Sequence, residues 1–180
     1  MNFNEITLNS KNIFSGRILK LRLDEVLLPN GRKSTREIVE HPGAVAIVAL
    51  DEENNILMVR QYRKPIEKEL LEIPAGKLEK DESKEICARR ELMEETGYYP
   101  NEIQHIISFY TSPGFSNEII HLFLAKNLEK KDAEADFDEY LQLEIMPFKD
   151  AIKKIYSGQI VDGKTITGLL LTYSFIMGDV

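Results

Sequence analysis

The chain reads as a single α/β domain, residues 1–180, in which helices cover a mixed β-sheet. Three observations predict this. Strand-like and helix-like segments are interspersed without strict alternation. The 180 residues are enough for one domain with a substantial core. No internal repeat or low-complexity linker divides the chain.

The elements follow in order. Residues 1 to 12 offer little beyond polar character. From Leu19 to Asp24 apolar and charged residues alternate, the mark of a half-buried strand. Pro29-Asn30-Gly31 is a turn, and Thr35 to Val39 can return as its partner strand, forming an antiparallel hairpin. Ala44 to Leu50 is a continuous apolar run of buried-strand length, and Ile56 to Val59 pairs with it across the turn Asp51-Glu52-Glu53-Asn54-Asn55. Gln61 to Pro65 reads as a polar connector. Strands are expected from Ile103 to Tyr110, around Asn117 to Ala125, and from Leu141 to Met146. Glu129 to Glu139 reads as a charged loop. Phe148 to Tyr156 has helical spacing, and Lys164 to Met177 reads as a final apolar helix, although its Thr, Ile and Tyr content also suits a strand.

The stretch that concentrates chemistry is Gly76 to Tyr98, GKLEKDESKEICARRELMEETGY. Ser83 can cap a helix at its start, and Gly97 can end it in the left-handed conformation. On such a helix Glu91, Glu94 and Glu95 share one face, where like charges destabilise unless a cation lies between them. Arg90 neutralises only part of that charge. A hard divalent cation, which takes carboxylate oxygens, supplies the rest most simply. A glutamate-rich helix face alone is usually only solvated. The longer pattern G-x5-E-x7-R-E-L-x-E-E-x-G, from Gly76 through Glu82, Arg90, Glu91, Leu92, Glu94 and Glu95 to Gly97, is another matter. Its chance occurrence is on the order of 10⁻⁸ per start position.

Composition narrows the function. An apolar fraction of 43% and a charged fraction of 29% fit a soluble globular protein. The net charge of −7 argues against broad binding to nucleic acid, but metal ions can still bridge carboxylates to a small phosphate ester. The lone Cys87 cannot form an intramolecular disulfide, suits a reducing cytoplasm, and reads as a packing residue. The N-terminus has no basic segment followed by an apolar run, and no apolar run is long enough to span a bilayer, so neither secretion nor a membrane partner is expected. His41, His105 and His121 have no metal-ligand spacing and read as structural or surface residues.

The Gly76–Gly97 pattern resembles the Nudix box, with Tyr98 where an aliphatic residue is common. The likeness extends further. Arg36 to Ala46, Arg60-Gln61-Tyr62-Arg63, Glu67 to Gly76 and Ser112-Pro113-Gly114-Phe115-Ser116-Asn117-Glu118 are similar to bacterial ADP-ribose pyrophosphatases of that superfamily. The resemblance implies the Nudix fold, an α/β/α sandwich with a mixed sheet, in which residues 1–40 are N-terminal strands used for homodimerisation. It implies Mg²⁺-dependent hydrolysis of ADP-ribose to AMP and ribose 5-phosphate, with Mn²⁺ as an alternative ion. Glu91, Glu95 and Glu94 would be metal ligands, joined by the carbonyl of Ala75. Glu82 and Arg90 would brace them. Arg36 and Glu37 match positions that reach the adenosine half from a partner subunit. Arg63 matches a phosphate- or ribose-contacting arginine, and Ser112 and Glu118 match positions near the terminal ribose. Lys77 matches a further contact or is a solvated surface residue.

Carboxylates occupied by metal are poor proton acceptors. A further carboxylate, on the loop before the last strand, is therefore expected to activate water. Glu139 is the first choice, with Asp136 and Asp138 as alternatives, and the residue can contribute about 10²–10⁴-fold. Two rival readings remain at this point. One is a Nudix hydrolase of another nucleoside diphosphate derivative, nucleoside triphosphate or dinucleoside polyphosphate. The other is a non-catalytic Nudix domain that senses ADP-ribose or NAD.

Overall fold

The structure, a computed structural model, describes residues 3–131 and 140–177, with side chains to residue 175. The chain forms two compact units, Met1–Gly43 with Phe109–Ile119, and Ala44–Ser108 with Ile120–Val180.

The first unit is built on three antiparallel strands in the order β1 (Ile6–Ser15), β2 (Lys20–Leu27) and β3 (Lys33–Glu40). The turn between β2 and β3 is the one expected from Pro29-Asn30-Gly31. Gly31 adopts φ 80°, and the Asn30 side chain accepts the Arg32 N–H at 3.0 Å. β1 was not legible because its register shifts between Thr7 and Asn9 and again between Asn12 and Phe14. Such bulges break the two-residue alternation that marks a strand. Every residue of β1 is exposed, including Ile6, Leu8, Ile13 and Phe14. The 109–119 segment closes against the end of β3. The Val39 N–H donates to the Phe115 carbonyl at 2.8 Å, and Asn117 N–H donates to the Val39 carbonyl at 3.2 Å.

The second unit carries β4 (Ala44–Leu50), β5 (Asn55–Arg63), β6 (Lys68–Glu72), β7 (Ala75–Lys77) and α1 (Lys84–Thr96). It continues with β8 (Tyr98–Tyr110), β9 (Ile119–Lys130), β10 (Leu141–Pro147), α2 (Phe148–Tyr156) and α3 (Gly163–Met177). The last residues of β8 and the first of β9 fall in the first unit. The sheet runs β10-β5-β4-β9-β8, with β6 added on β5 and β7 on β4. It is mixed: β4 and β9 are parallel, whereas β5 meets β4, β6 and β10 antiparallel.

β4 explains the arrangement. It is apolar on both faces, as a strand covered on both sides must be. Val45, Ile47 and Ala49 point to a core completed by Cys87, Ala88 and Leu92 of α1 and by Phe123 and Ala125 of β9. Val48 and Leu122, on the opposite face, meet α3. A Cβ at Gly168 of α3 would stand 2.9 Å from Val48 and 3.1 Å from Leu122, so glycine lets the helix settle this close. Helix, sheet and helix form the α/β/α order. α3 is a helix throughout its apolar run, because Asp162 caps its start by accepting the Thr165 N–H at 3.0 Å.

The pairing of β5 with β4 is shorter than the sequence suggests. Only Ala49↔Leu57 and Leu50↔Ile56 pair before the strands part. The start of β4 is thereby left for β7, which pairs through Ala44↔Lys77, Val45↔Gly76 and Ala46↔Ala75. The expected polar connector at Gln61–Pro65 is instead the end of β5 followed by a short 3-10 turn at Lys64–Ile66.

Candidate active site

α1 begins and ends at the expected residues. The Ser83 hydroxyl accepts the Ile86 N–H at 3.3 Å, and Gly97 closes the helix at φ 74°. Its apolar side, Cys87, Ala88 and Leu92, is buried in the core. That burial turns the glutamate side toward the backbone of β7.

Glu91 and Glu95 reach that backbone. Glu95 accepts the Ala75 N–H at 3.1 Å. Glu91 lies over Gly76 so closely that a Cβ there would fall 1.8 Å from its carboxyl carbon. Only glycine admits the carboxylate. The strand bearing Gly76 is itself pinned, since the Ile47 N–H donates to the Pro74 carbonyl at 2.9 Å.

Arg90 links the remaining carboxylates. Its Nε and Nη2 donate to the two oxygens of Glu82 at 2.9 and 3.0 Å. Its Nη1 donates to Glu91 at 2.8 Å and to Glu94 at 2.9 Å. These bonds raise the Arg90 pKa above its ordinary value, and the Arg90 hydrogen bonds hold Glu82 below the usual carboxylate range. Three carboxylates, Glu82, Glu91 and Glu94, thus share one guanidinium, and the cluster retains negative charge. Among the described residues, no three His, Cys, Asp or Glu side chains already form a closed metal cluster. Burial pushes the Cys87 thiol up to about 12, which leaves it an inert packing group.

The other expected site residues fall in three places. In the second unit, Lys77 is exposed on β7, and its carbonyl accepts the Arg90 Nη2–H at 3.4 Å. Arg63, at the end of β5, donates from Nε and Nη2 to Glu72 at 2.8 and 2.7 Å. In the first unit, Arg36 donates to both oxygens of Glu5, and Glu37 is exposed. The Ser112 carbonyl accepts the N–H groups of Phe115 and Ser116, and Glu118 accepts the Thr111 hydroxyl at 2.5 Å. Glu118 also lies 3.7 Å from His41 Nδ1. That nitrogen also lies 3.1 Å from the Gly43 N–H. Glu139, Asp136 and Asp138 lie outside the described residues.

Two groups of residues went unnoticed in the sequence. Glu72, Lys164, Asp162 and Thr165 form a connected polar network behind Arg63. Its signal was a single glutamate inside the apolar run Leu70-Leu71-Glu72-Ile73-Pro74. The Ser108 hydroxyl lies 2.9 Å from His105 Nε2 and 2.6 Å from His121 Nδ1, a contact that only strand pairing could reveal.

The described residues contain no helix long and apolar enough to cross a membrane. A sequence profile described as "NUDIX domain" matches residues 40–166, and one described as "Nucleoside diphosphate sugar hydrolase N-terminal domain" matches residues 5–39. A Bacillus methanolicus protein named "Methanol dehydrogenase activator" is 53% identical over 91% of this chain and 90% of its own. A Bacillus subtilis "ADP-ribose pyrophosphatase" is 48% identical over 89% of this chain and 88% of its own. A Mycobacterium tuberculosis protein of the same name is 39% identical over 96% and 84%. A solved structure titled "Crystal structure of ADP compounds hydrolase" superposes with a TM-score of 0.88 over 99% of this chain and 98% of its own, at 20% identity, a likeness of fold. With the glycine-to-glycine motif assembled around Arg90 and the profile covering most of the sequence, the chain belongs to the Nudix family.

Proposed function

We propose that this chain hydrolyses the pyrophosphate bond of ADP-ribose to AMP and ribose 5-phosphate, with Mg²⁺ held at the box. One observation carries the reading: Glu91 and Glu95 are laid against the β7 backbone at Gly76 and Ala75, where no larger residue than glycine fits under Glu91. The relatives named ADP-ribose pyrophosphatase, at 48% and 39% identity, support the choice of substrate.

The donor set fits a hard divalent ion. Glu91, Glu94, Glu95 and the Ala75 carbonyl offer only oxygen, which suits Mg²⁺ and also Mn²⁺. A bound ion supplies charge neutralisation for the pyrophosphate oxygens and a lowered pKa for the attacking water. Arg90 and Glu82 keep the carboxylates in place. In the hydrolysis, water oxygen bonds to one phosphorus as the bridging P–O bond breaks, and the departing phosphate keeps the bond's electrons. The water proton passes to a carboxylate, for which Glu139 is the first candidate, followed by Asp138 and Asp136. Arg63 and Lys77 are proposed substrate contacts in the second unit, and Arg36, Glu37, Ser112 and Glu118 in the first. We also assign the N-terminal strands to a homodimer, since β1 exposes a run of apolar side chains, and place the protein in the cytoplasm.

The test is a hydrolysis panel with Mg²⁺ over ADP-ribose, NADH, ADP-sugars, GDP-mannose, diadenosine polyphosphates and nucleoside triphosphates. Release of AMP and ribose 5-phosphate, with the highest kcat/KM for ADP-ribose, is expected. The 53% identical relative favours a second reading, in which the chain activates a dehydrogenase. Activation that survives Glu91→Gln together with no turnover of any panel member would select that reading.

A further inference from the structure

Among the described residues of the second unit, Glu72 is the most buried charged side chain, 1% exposed. It sits between Leu71 and Ile73, which are also buried. A carboxylate there costs several kcal/mol of desolvation unless cations and hydrogen bonds compensate it. Two cations do. Arg63 gives it a two-pronged contact at 2.8 and 2.7 Å, and Lys164 bonds the oxygen that receives the second prong. Lys164 is held in turn by Asp162 at 3.0 Å. Asp162 also accepts the Thr165 hydroxyl at 2.6 Å, and Thr165 Oγ1 accepts the Ile73 N–H at 3.0 Å. The network therefore joins the end of β5, the end of β6 and the start of α3. Burial alone would push the Glu72 pKa up, but the Arg63 and Lys164 contacts outweigh it and hold the carboxyl below its ordinary range.

Stability is a poor reason for such a network. A buried ion pair replaced by apolar residues of similar volume is often neutral or stabilising. The polar network has another consequence. It takes one edge of the Arg63 guanidinium and fixes the direction of the rest, while the side chain stays 39% exposed. Glu72 lies three residues before Ala75, whose N–H donates to Glu95, so the Arg63 guanidinium bonded to Glu72 is held near the box, and the Glu95 charge acts on it. Without Glu72, the charges left acting on Arg63 would be those of Glu95 and Asp162.

The geometry points to Glu72 and Lys164 as positioning residues, which hold Arg63 beside the box so that its free edge meets the oxygens of a diphosphate and is kept off Glu95. This rests on the hydrolase reading for the identity of the ligand. A planar guanidinium already oriented by one carboxylate loses little further freedom on binding a phosphate.

The test is a cycle built on Arg63→Ala and the pair Glu72→Leu/Lys164→Met, which removes one charge of each sign and preserves volume. The pair is expected to fold, with a melting temperature equal to or above that of the wild type. It is also expected to raise KM for ADP-ribose roughly ten- to a hundredfold while changing kcat by less than about threefold. In the Arg63→Ala background the pair should have no further effect on KM, because its action passes through Arg63. Multiplicative effects in the cycle, or a folded pair with wild-type KM, would overturn the inference and make the network purely structural. Where the pair does not fold, Glu72→Gln carries the same cycle. Binding of ADP-ribose is measured in parallel by calorimetry in EDTA. A wild type that binds without hydrolysing overturns the hydrolase reading, and the cycle is then decided on binding constants. A wild type that hydrolyses but gives an additive cycle overturns only the positioning role. A wild type that does neither overturns both.

Discussion

Gly76→Ala isolates the packing on which the candidate active site depends. The new methyl carbon would stand 1.8 Å from the Glu91 carboxyl carbon and 2.0 and 2.1 Å from its oxygens. Contact between carbons is comfortable only near about 3.5–4.0 Å, so the carboxylate must move by roughly 1.5–2 Å. The obstacle is the far end of a flexible side chain, and Gly76 is not among the residues with positive φ, so the backbone accepts alanine. The fold should therefore persist. Moving Glu91 forfeits its 2.8 Å bond from Arg90, worth about 1.5–3 kcal/mol if fully lost. Exposure of Arg90 to solvent reduces that figure. Replacing glycine restores about 0.4–1 kcal/mol through the unfolded chain. The net is about 1–2 kcal/mol, or roughly 2–8 °C in melting temperature. Activity should suffer far more, since a misplacement of about 1 Å can cost on the order of 10²-fold in rate. The assay is kcat for ADP-ribose at saturating Mg²⁺ alongside a thermal melt. Wild-type kcat with an unchanged melt would refute the reasoning, because Glu91 would then have no fixed position to lose.

Glu91→Gln and Glu95→Gln, measured separately, should each lower kcat by at least about 10²-fold without unfolding the protein, since several kcal/mol of charge stabilisation disappears; full turnover in both at saturating Mg²⁺ would remove them as ligands. Burial lowers the His121 pKa from its ordinary 6.5, with the Lys84 and His105 charges adding to the effect. The unfolded chain then binds the proton more readily, so this contribution to stability is complete above pH 6.5 and is lost as pH falls toward the folded pKa. Urea midpoints taken downward from pH 7 should fall more steeply for the wild type than for His121→Gln, and identical slopes would contradict this. Sedimentation at micromolar concentration should show a dimer that Ile6→Lys/Ile13→Lys converts to monomer, and a wild type that is fully active as a monomer would remove the assembly proposed for the N-terminal strands.

The sequence by itself determined whatever depends on neighbours along the chain. Ser83 and Gly97 marked the ends of α1 because capping is local chemistry within one turn. Ala44 to Leu50 announced a doubly covered strand because both of its faces are apolar. Glu91, Glu94 and Glu95 appeared on one helix face because their spacing is helical. Tertiary structure decided the rest. The intimacy of Glu91 with Gly76 arises only when β7 takes the place beside β4 that β5 vacates. β1 escaped detection because two bulges scramble its alternation. Glu72 and Lys164, 92 positions apart in the chain, met only when α3 packed beside the end of β6. Pattern along a chain records which face a residue occupies, whereas the partner waiting across that face is set by how the faces are stacked.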